Sequence, residues 1–290
     1  MELPVPLALA QAVPRLPRGA AGVWWYEPKF DGHRVVLERT AETVRLYARS
    51  GRVVTSPWMD LAVAGMQLEP GTVLDGEAVI WSGGRLDFAA VQARAASGTD
   101  RSRALAGRLP ASYAVWDILG HPVHGDVRGR RYTERRRLLL DVLASVGPPI
   151  QAVPATDDYD IAMTWYESLQ AQGIEGIVAK RAASTYKSGR IWVKTRHAET
   201  TEAVVVGFTG SPAQPRALAV RLDDGRTVLT QRLPAALARA AAAYLADAAP
   251  GPPAVTATGD AYTTTTVEDL MVEVLAGTTR HQVVTATRLR

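Results

Sequence analysis

Cysteine is absent from the 290 residues. That excludes disulfides, a thiolate zinc site and a cysteine nucleophile, and it accords with a reducing compartment. Long apolar runs are missing too: no stretch reaches the roughly 18 residues of a membrane span. The alanine-rich segment 235–249 is interrupted by Arg239 and Asp247 and reads as a helix in water. The first residues, Met1-Glu2-Leu3-Pro4-Val5-Pro6, carry no basic region and are broken by prolines, unlike a signal peptide. The expectation is a cytoplasmic protein with no membrane contact. Internal repeats are absent as well. The last scarcity is lysine: Lys29, Lys180, Lys187 and Lys194 stand against twenty-nine arginines. Guanidinium stays protonated at any ordinary pH, whereas an amine can lose its proton and become a nucleophile. A chain that writes arginine almost everywhere yet keeps a few lysines marks Lys29 as a candidate for covalent chemistry.

What is present is ordinary by comparison. A hydrophobic content of 47% with 21% charged residues is that of a globular protein. The length suits one large or two ordinary domains. The net charge of +4 lies wholly in the first 200 residues, because residues 201–290 hold eight arginines and eight acids. A polyanionic partner fits that excess without being required by it.

Taken in order, residues 1–22 read as a Pro/Ala-rich lead-in. Strands are expected over 23–29, 33–39, 43–49, 73–81 and 112–119 from alternation and apolar runs. Residues 101–109 read as a loop or short helix. Thr133 is expected to cap a helix running through Arg135-Arg136-Arg137 and Leu138-Leu139-Leu140, with the arginine run on a solvated face. A second helix over 157–172 is stopped by Gly173. Short strands follow at 176–181 and 190–196. Beyond Arg196 lysine disappears and short strands recur (203–208, 217–222, 227–231, 267–275, 282–287) around an alanine-rich helix at 234–247 and a Pro/Gly stretch at 250–253. This pattern suggests a small barrel of the oligonucleotide-binding type, with a domain boundary near residue 200 (1–200 and 201–290).

Five short motifs carry the functional reading. Lys29-Phe30-Asp31-Gly32-His33-Arg34 resembles the K-x-D-G-x-R signature of covalent nucleotidyltransferases, the family of ATP-dependent DNA ligases, RNA ligases and mRNA capping enzymes. Leu74-Asp75-Gly76-Glu77, Tyr113-Ala114-Val115-Trp116-Asp117-Ile118, Glu175-Gly176-Ile177-Val178-Ala179-Lys180 and Trp192-Val193-Lys194-Thr195-Arg196 resemble its later motifs, in the family's order. The nearest resemblance is to short bacterial ATP-dependent DNA ligases. It implies an α+β fold: a nucleotidyltransferase (ATP-grasp-like ligase) adenylation domain of antiparallel sheets with helices, followed by an OB-fold β-barrel.

The resemblance also implies roles. Lys29 would attack the α-phosphorus of ATP and hold AMP as a phosphoramide, splitting one hard transfer into two easier ones. Glu27 would read the adenine amino group and Trp116 would stack on adenine. Arg34 and Arg49 would touch the nucleotide and the 5′-phosphate, as a guanidinium fork suits phosphate oxygens. Lys180 and Lys194 would contact phosphates. Glu77 and Glu175, acids within apolar strands, would hold Mg2+ or Mn2+ with the triphosphate. Asp75 has a turn-stabilising role as its alternative. Arg196 stands where the family usually has lysine. In the final motif Arg280 and Arg288 would orient pyrophosphate, but Gln282 replaces a proline and Arg290 an aspartate, a departure that bears on self-adenylylation. The implied partner is nicked double-stranded DNA, sealed by a monomer during DNA repair, recombination or end joining, with a Ku-like end-binding protein as a further partner. RNA ligase or capping activity, and a catalytically weakened DNA-binding relative, are the alternative readings.

Overall fold

The computed structural model describes residues 2–246, 250–256, 258–267, 270–277 and 284–289, and of residues 99, 198–200, 276, 277 and 288 only the backbone. The chain divides between Arg196 and His197 into two compact units. Among the described residues no helix is long and apolar enough to cross a membrane.

The first unit runs through β1 (Ala8–Ala12), β2 (Trp24–Lys29), β3 (His33–Arg39), β4 (Val44–Ala48), α1 (Met59–Gly65), β5 (Val73–Ser82), β6 (Arg85–Leu86), α2 (Phe88–Ala95) and α3 (Thr99–Arg108). It continues through β7 (Ala111–His121), β8 (Gly125–Asp126), α4 (Tyr132–Leu143), β9 (Ile150–Ala152), α5 (Tyr159–Ser168), β10 (Gly176–Arg181) and β11 (Gly189–Arg196). Two sheets form. One has the order β1-β11-β10-β2, and the other is built on β4-β3-β5-β7-β8.

Alternation along the strands assigns each side chain a layer. Val35 and Leu37 join the core beneath α1, α2 and α4. Val36 and Tyr47 point the other way and pack with Leu7, Tyr186 and Trp192 between the sheets. Tyr26, Ile177 and Ala179 turn outward against Ala162 of α5. The opposite face of that same sheet is therefore left to line a cleft.

Several expectations are corrected. The lead-in contains β1, which pairs in parallel with β11; its sequence, Ala-Leu-Ala-Gln-Ala, has little intrinsic strand preference and is held by its neighbour. Residues 101–109, open between loop and short helix, are not corrected but decided for helix, lying almost wholly in α3. Thr133 does not cap α4, which starts at Tyr132 after an extended Arg131 with no side-chain cap. Nor is the arginine run solvated throughout: Arg135 is fully buried and Arg136 nearly so, and only Arg137 of the three is exposed. Arg135 donates to both oxygens of Asp117, at 2.7 and 2.9 Å, and Arg136 donates to the Val153 carbonyl. Asp75 sits in no turn; it lies inside the ten-residue strand β5.

The second unit holds β12 (Ala198–Ser211), β13 (Gln214–Arg221), β14 (Thr227–Leu229), α6 (Ala235–Leu245), β15 (Pro250–Val255), β16 (Ala261–Thr265), β17 (Met271–Gly277) and β18 (Val284–Leu289). The long β12 pairs with β17 through its first half and with β13 through its second. β18 adds to β17, and a bridge between Thr230 and Val284 joins it back beside β14. The sheet thus curls on itself as an OB-fold barrel around Val205, Phe208, Val220 and Val274, with Ala241 and Leu245 of α6 packed in. The Pro/Gly stretch is strand here, because β15 is an outer strand of its sheet, where proline's missing donor is tolerated.

Candidate active site

The register of the first sheet assembles the site. Glu27 and Lys29 are two apart on β2 and so share a face. Val178 lies opposite Glu27 and Gly176 opposite Lys29. Lys194 lies opposite Val178 and Arg196 opposite Gly176. Directly opposed residues project from the same side. Lys29, Glu27, Lys180, Trp192, Lys194 and Arg196, far apart in sequence, therefore come to one surface. Gly176 allows the close approach, since a Cβ there would lie 2.0 Å from the Thr195 carbonyl.

The second sheet supplies the facing wall. Arg34 on β3 lies opposite Glu77 on β5. The β5–β7 ladder carries a bulge, with Asp75 opposite Asp117 but Gly76 opposite Val115, which leaves Trp116 unmatched. A bulge of this kind re-aims a side chain. Between the walls is a cavity of about 390 Å3, lined among others by Glu27, Lys29, Arg34, Arg49, Glu77, Trp116, Lys180, Lys194 and Arg196. That volume falls in the range of small-molecule sites.

The cavity is chemically two-ended. At one end Lys29 is hydrogen-bonded to Glu175 Oε2, and Arg196 Nε lies 2.6 Å from Glu175 Oε1. Lys194 stands nearby, its amine lowered to about 8 by partial burial and by Arg196 and Lys29. Exposed Arg49 and Arg190 rim the same space. At the other end Glu27 is buried: its Oε1 accepts the Tyr132 hydroxyl at 2.6 Å, and its Oε2 lies 2.8 Å from the Lys180 ammonium. Lys180 also donates to the Trp116 carbonyl at 3.0 Å and lies 4.3 Å from the centre of the Trp192 ring. The indole N–H groups of Trp116 and Trp192 are buried without a hydrogen-bond partner among the described residues.

Sequence reasoning singled out most of these residues but not their pairings. Lys180, expected against phosphate, has its ammonium enclosed by Glu27 and the Trp116 carbonyl. Arg34 lines the cavity, yet its fork is held by Asp75 at 3.0 and 2.7 Å and by the Ala8 carbonyl at 2.7 Å. Asp75, which also accepts from Tyr186 at 2.7 Å, is the anchor of that arginine. Glu77 accepts the Gly32 N–H at 3.1 Å, and burial pushes its carboxyl up to about 8 against the pull of Lys29 and Arg34. Lys187 is exposed, away from the cavity lining. Arg280, Gln282 and Arg290 lie outside the described residues, as does the Arg288 side chain. Tyr132, Trp192 and Arg190 were missed as site residues. Trp192 and Arg190 belong to the strand of the last lysine motif, and that was the available signal; Tyr132 gave none.

These groups fit a nucleotide: unpartnered indoles and an acid that accepts hydrogen bonds at one end, a crowd of cations at the other. For a divalent metal the fit is narrower. Among the described residues no group of three or more His, Asp or Glu side chains could hold an ion. Glu77 faces the cavity, and one carboxylate plus substrate phosphates is a usual magnesium arrangement. Glu175 already has a cation at each oxygen.

A family model described as the ATP dependent DNA ligase domain matches residues 8–196. DNA ligase C2 of Mycolicibacterium smegmatis is 35% identical over 214 residues, 72% of this chain and 59% of its own length. The multifunctional non-homologous end joining DNA repair protein LigD of Mycobacterium tuberculosis is 36% identical over 196 residues, 65% of this chain and 23% of its own. The match therefore spans about three fifths of the first relative and under a quarter of the second. Among solved structures, a mycobacterial DNA ligase D complexed with ATP and MES superposes with a TM-score of 0.52 at 26% identity, covering 98% of this chain and 94% of that one.

Proposed function

From the premise that this chain belongs to the ATP-dependent DNA ligase family, we propose that it seals nicks in duplex DNA through an adenylate held on Lys29. The observation that carries the reading is the position of Lys29: a partly exposed amine in a nucleotide-sized cavity, hydrogen-bonded to Glu175 and ringed by Arg49, Arg190, Lys194 and Arg196.

In the first step the neutral Nζ attacks the α-phosphorus of ATP. The new P–N bond forms as the P–O bond to pyrophosphate breaks. Glu175 Oε2, already in contact with Nζ, is the atom placed to take the proton that nitrogen sheds. Lys194 and Arg196 offset the negative charge that develops on the phosphoryl oxygens. AMP then passes to the 5′-phosphate of a nick, and the 3′-hydroxyl displaces it. Duplex contacts through arginines make binding salt-dependent and largely blind to sequence. A divalent metal, magnesium or manganese, would be held by Glu77 with the substrate phosphates and would neutralise phosphate charge. Relatives named for end joining support a repair setting, with a Ku-like end-binding protein as a further partner.

Incubation with labelled ATP and metal, followed by mass analysis, is expected to show one AMP on Lys29, lost in Lys29→Ala and Lys29→Arg. Arginine keeps the charge but cannot supply a neutral nucleophile. Nick sealing on a 5′-labelled duplex is expected to follow the same pattern. Label from GTP alone, or no label with either nucleotide, would overturn the proposal.

A further inference from the structure

We infer that Tyr132, which lies in none of the five motifs, is a positioning residue for nucleobase choice, fixing Glu27 so that it accepts from a 6-amino purine and repels a 6-oxo purine. The inference rests on the nucleotide reading of this cavity and deepens it.

Glu27 is 2% exposed. Each of its oxygens faces one donor, the Tyr132 hydroxyl on Oε1 at 2.6 Å and the Lys180 ammonium near Oε2 at 2.8 Å. A carboxylate held between two donors has only acceptor capacity left for the cavity. An exocyclic amino group satisfies it. A carbonyl in the same place sets acceptor against acceptor in a buried setting, where an unmade hydrogen bond is costly.

The direction of the Tyr132 hydroxyl is preset. Its ring is 1% exposed, lies 6.0 Å from the Trp25 ring and has the Lys180 ammonium 5.1 Å from its centre. Its helix is tied to β7 by the buried Arg135–Asp117 pair one turn further on. Burial and the adjacent Glu27 push the phenol well above its usual range, so it remains a donor at every working pH. Lys180 alone would not hold the carboxylate in place. Without the hydroxyl, Oε1 is free to rotate toward the ammonium, and the carboxylate swings out of register with the base.

The test compares Lys29 adenylylation kinetics of Tyr132→Phe and wild type with ATP and with inosine triphosphate, which differs from ATP by a 6-oxo group. The expected result is that kcat/KM for ATP falls about tenfold, through KM, while that for inosine triphosphate is unchanged, so discrimination falls about tenfold. Any loss of folded protein scales both nucleotides alike and cancels from the ratio. An unchanged ratio with ATP still labelling Lys29 overturns this inference alone; no label on the wild type overturns the nucleotide reading with it.

Discussion

The two ends of the cavity are made of the same chemistry and differ in how far it is buried. Each is a glutamate with a lysine and a third donor: Glu27 with Lys180 and Tyr132, Glu175 with Lys29 and Arg196. The contrast is exposure. The Lys180 side chain is 1% exposed and the Lys29 side chain 18%. A fully enclosed ammonium that donates to a carboxylate and a carbonyl cannot be lent to a substrate without leaving buried charge behind. An ammonium at the cavity edge can, particularly when the carboxylate it leaves still has Arg196. Burial, more than residue type, separates the enclosed lysine from the one proposed as nucleophile.

Exchanging the two lysines' fates is the sharpest way to break this comparison. Lys29→Met is expected to abolish adenylylation outright while lowering stability by only about 1 kcal/mol, since Glu175 keeps Arg196. Lys180→Met is expected to cost about 3–5 kcal/mol by chemical denaturation, because Glu27 loses its counter-ion in a buried site. Equal stability losses would sink the distinction.

Helix α4 repeats the comparison on one element. Arg135→Ala removes the partner of buried Asp117 and should likewise cost about 3–5 kcal/mol. Arg137→Ala, two residues on, disturbs only an exposed pair with Asp141 and should cost less than about 0.5 kcal/mol. Urea midpoints of the two variants decide it.

A smaller and pH-dependent effect concerns Glu77, whose folded carboxyl is raised to about 8 from an ordinary 4.5. Below about 4.5 both folded and unfolded states hold the proton, and the shift has no effect on stability. Between there and about 8 the unfolded chain ionises first, so stability is lost as pH rises. Glu77→Gln is therefore expected to stabilise the nucleotide-free protein by roughly 2–4 kcal/mol at pH 9 and to leave it unchanged at pH 4. Adenylylation should be lost in the same variant if Glu77 holds the metal. A melting curve with no pH-dependent gain would show that this carboxyl is not desolvated.

Much of the first unit was legible because its signals are local. Strands over 24–29, 33–39 and 73–82 alternate or run apolar, and Gly173 ends its helix in a left-handed conformation at φ 87°. What failed was non-local. β1 exists because β11 is beside it, and β15 accepts prolines because it lies at a sheet margin. The bulge at Trp116 is a property of two strands together. In the second unit short, Thr- and Ala-rich segments gave weaker periodicity, and β16 was missed altogether.

The sequence by itself determined where an amine stands among guanidinium groups, and it spaced five motifs so that their strands could be recognised. It decided that Lys29 and Glu27 share a face, because two residues on a strand always do. Tertiary structure alone decided which cations are enclosed with their partners and which stand at the cavity edge. Lys180 and Arg34 look like Lys29 and Arg49 on the page, but pairing with Glu27 and Asp75 requires contacts across dozens of residues. Tyr132 reaches Glu27 over a separation of 105 residues. Hydrogen-bond donors are consumed by whatever lies within about 3 Å, and no local pattern records that.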